Sequence, residues 1–97
     1  MSTTHPTPEQ VRSFLIDRYS SALQAKVTSL ADTPDSFDFL LEGVVDSFGV
    51  LEMIGEVEKE FGLELDMSGL PAEQMTVLGP LTRFVAAQAG GQPSKQP

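Results

Sequence analysis

The sequence predicts a small all-α bundle of three main helices plus one short helix. Apolar residues recur at three-four spacing in several stretches, and no strand alternation of useful length interrupts them. Prolines and glycines fall where such helices should begin and end. A chain of 97 residues has room for one domain with a modest core. That domain is expected over residues 7–88, between a flexible polar leader (1–6) and a disordered tail (89–97).

Thr7-Pro8-Glu9-Gln10 opens the first helix. Thr7 can cap it, Pro8 suits the first helical position, and Gln10 completes a capping box. Val11, Phe14, Leu15, Tyr19, Ala22 and Leu23 then give one apolar face over about four turns. From Lys26 to Ser36 the period is lost, and Asp32-Thr33-Pro34-Asp35 reads as a breaker cluster in a long loop. Phe37, Phe39, Leu40 and Leu41 form a short hydrophobic plug, ended by Gly43.

The next helix is predicted from about Ser47 to Phe61, with Gly62 as its stop. Val50, Leu51, Ile54, Val57 and Phe61 are assigned to its buried arc, and Phe48, Glu52, Gly55, Glu56, Lys59 and Glu60 to the outer face. Leu63 and Leu65 lead into a second loop, and Pro71 with Glu73 suggests a short helix through Met75. Leu78, Leu81, Phe84 and Val85 mark the last helix, with Pro80 near its start and its end expected before Gly90-Gly91.

Composition narrows the possible functions. With no cysteine, the chain has no disulfide framework, thiolate metal site or catalytic thiol. The single histidine, His5, lies in the leader, which leaves no plausible Ser-His pair and no imidazole cluster; no metal site is expected. No apolar run approaches the roughly 18 residues of a membrane span, and the polar start lacks the pattern of a signal peptide, so a cytoplasmic protein is expected. The net charge is −8, and from Asp32 to Glu73 twelve acids face Lys59 alone. Such a surface repels nucleic acid and anionic membranes and favours basic protein partners. Asp32, Asp35 and Asp38 lack the alternate spacing and central glycine of a calcium loop.

Ser47 stands out for its setting. Asp46-Ser47-Phe48 lies between a loop and an acidic amphipathic helix. Taken alone, a serine at that position reads as an ordinary N-cap. The same position also suits a serine carrying a phosphate ester, because unpaired N–H groups and the positive end of the helix dipole face outward there. It does not suit a nucleophile, since no base is at hand to activate the hydroxyl.

The segment Leu41-Glu42-Gly43-Val44-Val45-Asp46-Ser47-Phe48-Gly49-Val50-Leu51-Glu52 resembles the attachment motif of acyl carrier proteins. In that family an Asp-Ser-Leu tripeptide receives 4′-phosphopantetheine from coenzyme A. Glu58-Lys59-Glu60-Phe61-Gly62-Leu63-Glu64-Leu65 resembles the end of the family's second helix and the turn after it. Met75-Thr76-Val77-Leu78 resembles the approach to its fourth helix, and the likeness covers about residues 8–88 in order.

The resemblance implies that Ser47 is the phosphopantetheine attachment site and that Asp46 helps a phosphopantetheinyl transferase recognise it. Phe48 takes the place of an exposed leucine gripped by partners, with Glu52 and Glu56 on an acidic docking face. Leu51, Ile54, Val57, Leu65, Met75 and Leu81 would line an interhelical space able to shelter a short acyl chain. A carrier of this kind is not an enzyme. Its partners would be an acyl-loading ligase or acyltransferase and downstream synthase enzymes with basic docking surfaces, in fatty-acid, polyketide or another specialised biosynthesis, and it would act as a monomer.

The chain departs from the family pattern at Phe48, at Gly49 (often an acid) and at Gly55 (often a bulky residue), and its loop from Lys26 to Leu41 is long. Val44-Val45 replaces the Gly-Gly usual in peptidyl carriers. These departures favour a free-standing, specialised carrier. The alternative is an unmodified acidic helical adaptor that grips a basic partner through Phe48 and the acidic face.

Overall fold

The structure, a computed structural model, describes residues 6–91; the expectations placed on residues 1–5, His5 included, and on 92–97 lie outside that range. Four α-helices form the fold: α1 (Pro8–Arg18), α2 (Ser20–Gln24), α3 (Ser47–Phe61) and α4 (Leu78–Gly91). Three are long and one is short, and the described residues contain no strand. Single 3-10 turns at Leu30–Asp32, Met67–Gly69 and Ala72–Gln74 punctuate the connections.

α1 begins as its sequence dictates. The Thr7 hydroxyl accepts from the Gln10 N–H, and the Gln10 side chain accepts from the Thr7 N–H, so the capping box is complete. The four-turn helix expected here is instead two helices, because the backbone departs from helical geometry at Tyr19 (φ −113°, ψ 23°). Hydrogen bonds from Tyr19 N–H to the Leu15 carbonyl and from Leu23 N–H to the Tyr19 carbonyl carry the chain through the bend. The Tyr19 ring packs edge-on against Phe39 at 5.7 Å, with the Arg18 guanidinium 5.6 Å from its centroid. Burial pushes the Tyr19 phenol above its ordinary pKa, the Arg18 charge opposing the shift. Val11, Leu15 and Leu23 are fully buried, whereas Ala22 is exposed.

The long loop is anchored at several points. Asp35 accepts from Arg12 of α1 at 2.6 Å and lies 3.5 Å from Arg83 of α4, while Arg12 also donates to the Thr33 carbonyl. The plug then docks on the start of α4. Phe39 N–H donates to the Thr76 carbonyl, Leu78 N–H to the Phe37 carbonyl and Gly79 N–H to the Asp35 carbonyl, around an antiparallel bridge between Asp38 and Val77. Gly79 is required there, since a Cβ would lie 2.7 Å from the Cβ of Asp35. Phe37 and Phe39 are buried and pack edge-to-face at 5.3 Å. Leu40 and Leu41, expected in the plug, point outward instead.

The bounds of α3 are those the sequence predicts. Gly62 ends it in the left-handed conformation (φ 65°), and the Gly62 and Leu63 N–H groups return to the Glu58 carbonyl. Its buried face differs from the expected one. Met53 is fully buried with Ile54 and Val57, while Leu51 is 71% exposed. The reason is angular. Leu51 lies about 100° around the helix from Val50, whereas Met53 lies about 60° to the other side. The short helix expected at Pro71–Met75 is a single 3-10 turn, Ala72–Gln74, and the short α-helix of the fold is α2. α4 runs to Gly91, past the end expected from its glycines, with Ala89 buried in its last turns. α1 packs most extensively on α4, and also on α3.

Candidate functional site

The approach to Ser47 is held by the plug. The Phe39 carbonyl accepts from both Val44 and Val45 N–H groups, and Gly43 makes the intervening turn at φ 78°, a conformation costly for any side-chain-bearing residue. One carboxylate oxygen of Asp38 accepts from the Leu40 and Leu41 N–H groups and from the Thr76 hydroxyl at 2.6 Å. Phe39 and Val45 are both buried. The loop before Ser47 is therefore tied at both backbone and side chain.

Asp46, not Ser47, caps α3. Its carboxylate accepts from the Gly49 N–H at 2.7 Å, and its carbonyl accepts from Val50. Gly49 fits this tight turn because a Cβ there would lie 2.9 Å from the Cβ of Val45 and 3.3 Å from the Asp46 carboxylate. Ser47 is thus the first residue of the helix, exposed, with a hydroxyl that makes no hydrogen bond to the described residues. The ordinary capping role open to this serine is taken by its neighbour.

Around Ser47 the surface is apolar and acidic. Phe48 is 80% exposed; Leu51, one turn on from both Ser47 and Phe48, is 71% exposed, and Leu41 in the preceding loop is 82% exposed. Glu52 is exposed beside them. Glu56 is half-buried, and its carboxylate lies 3.8 Å from the Arg18 guanidinium, so it is partly committed to tying α1 to α3. The sequence assigns Leu51 to the buried arc and Leu41 to the plug; in the structure both side chains are exposed.

The six residues expected to line an acyl space divide three ways. Ile54, Val57 and Leu81 are packed into the core, Leu65 and Met75 are half-buried against it, and Leu51 leaves the set altogether. An open groove lies elsewhere, between α1, Leu30 and the far end of α3, and none of the six lines it. The acids are likewise dispersed. Asp35 serves two arginines and Asp38 a threonine, and among the described residues no three carboxylate or imidazole side chains converge as a metal site would require. No described helix is long and apolar enough to cross a membrane.

Comparison of the chain with protein families, with curated proteins and with solved structures finds no match.

Proposed function

We propose that this protein is an acyl carrier protein that presents acyl groups as thioesters on a 4′-phosphopantetheine arm attached to the Ser47 hydroxyl. The observation that carries the reading is the division of labour at the start of α3. Asp46 caps the helix end, which leaves the Ser47 hydroxyl exposed and without a hydrogen-bond partner among the described residues.

The residues present fit the group. The Ser47 and Phe48 N–H groups lie at the open end of α3, where a phosphodiester would meet donors and a favourable dipole. The Asp46 carboxylate offsets part of that attraction, so retention of the arm rests on its covalent bond rather than on affinity for an anion. When attached, the arm supplies a thiol on a long flexible tether, and its high local concentration at a docked enzyme replaces free diffusion. Phe48 and Leu51, within one turn of the serine, offer an apolar grip, with Glu52 to steer basic partners. Those partners are a phosphopantetheinyl transferase, an acyl-loading enzyme and downstream synthases, in the cytoplasm. The chain itself performs no bond chemistry in this reading.

Coexpression with a phosphopantetheinyl transferase, followed by intact mass measurement, tests the proposal. The wild type should gain the mass of the arm and Ser47→Ala should not, while keeping its helical circular dichroism. No gain, or a gain that survives Ser47→Ala, overturns it. The exposed Phe48–Leu51 face also favours the unmodified adaptor, which predicts that Ser47→Ala leaves partner binding intact while Phe48→Ala abolishes it.

A further inference from the structure

At the other end of α3, about 20 Å from Ser47 along the helix axis, the surface carries a second apolar feature. The groove between α1, Leu30 and the last turn of α3 has a floor of Phe14, Ile16, Leu30 and Phe61, all of them half-buried. Phe14 and Phe61 meet edge-to-face at 5.6 Å, so the floor includes an aromatic corner. Glu9, Asp17 and Glu60 stand exposed along its edges, and none of the three makes an ion pair with another described residue. Arg12, the one basic residue among the described residues that line the groove, is engaged by Asp35 and the Thr33 carbonyl.

The remaining arginines sharpen this imbalance. Arg18 pairs with Glu56 and Arg83 with Asp35, so the arginines of the bundle are spent on internal ties. Three exposed acids therefore stand over an apolar floor without an ion-pair partner among the described residues. Such a surface complements an apolar side chain flanked by lysine or arginine.

We propose that this groove is a second docking surface, separate from the Ser47 face, that takes a cationic amphipathic helical segment of a partner protein. An apolar side chain of that segment would sit against Phe14 and Phe61 while its basic residues face Asp17 and Glu60. A partner held here leaves the start of α3 uncovered, and the proposal does not depend on modification of Ser47.

A synthetic leucine–lysine amphipathic peptide is the probe, titrated into the isotope-labelled protein and followed by NMR. Chemical-shift changes should centre on Phe14, Ile16, Leu30 and Phe61 and should saturate. The double variant Asp17→Lys/Glu60→Lys should weaken binding at least about fivefold; the control Glu52→Lys, on the other face, should leave groove binding unchanged. A peptide of equal charge without leucines should bind more weakly at the groove. Changes centred on Phe48 and Leu51, changes spread over all acids without saturation, or equal binding by the leucine-free peptide would each overturn the proposal.

Discussion

At the scale of single residues, the work of Asp46 and Ser47 is divided by chemistry. A carboxylate can accept the Gly49 N–H and so relieve one of the orphan donors of α3. Asp46→Ala removes that bond and should cost about 1 kcal/mol in urea unfolding. Asp46→Asn keeps an acceptor of the same reach and should cost much less. The two variants separate capping from recognition. If the charge of Asp46 is read by the transferase, Asp46→Asn should fold like wild type yet be modified more slowly; equal modification rates would assign Asp46 to capping alone. Taken alone, Ser47 reads from the sequence as an ordinary N-cap; Asp46 holds that place instead, because adjacent Asp and Ser are both good caps and local pattern does not say which takes the helix end.

At the scale of elements, α3 shows how two glycines of one helix differ. Gly55 is exposed, and a Cβ there would meet nothing within 4 Å. Gly55→Ala should therefore stabilise the protein by up to about 1 kcal/mol, the ordinary propensity gain. Gly49→Ala has the same propensity on paper but drives a Cβ to 2.9 Å from Val45, and should lower the urea midpoint instead. Opposite signs for the two substitutions would show that close approach, not propensity, governs the first turn of α3. The same helix explains the misplacement of Leu51. The period of apolar residues marked where α3 begins and ends, but at its edge a leucine can turn inward or outward, and only the neighbouring helices decide which. Met53, a residue able to fill irregular space, took the inner place.

At the scale of the molecule, the plug ties the bend at Tyr19 and the approach to Ser47 to the start of α4. Phe39 is fully buried between Tyr19 and Phe37, and its carbonyl holds the segment leading to Ser47. Phe39→Ala should cost about 3–5 kcal/mol, a large share of the roughly 5–15 kcal/mol typical of a domain. Asp35→Asn removes the charge that ties Arg12 to Arg83, but Asp35 and Arg83 are more than half exposed and the loss should stay within about 1 kcal/mol. Urea unfolding of both variants checks the order: an ion-pair loss that matched the aromatic one would mean that charge, not packing, closes the long loop.

The sequence by itself determined the helical class, the capping box of α1, the limits of α3 and the exposure of Phe48, because these depend on interactions within a few residues of one another. The tertiary structure alone decided the bend at Tyr19, the outward turn of Leu41 and Leu51, the pairing of the plug with the start of α4, and the acid-edged groove at Phe14 and Phe61. Each of these depends on residues far apart in the chain competing for the same space or the same partner, and local pattern carries no record of who wins.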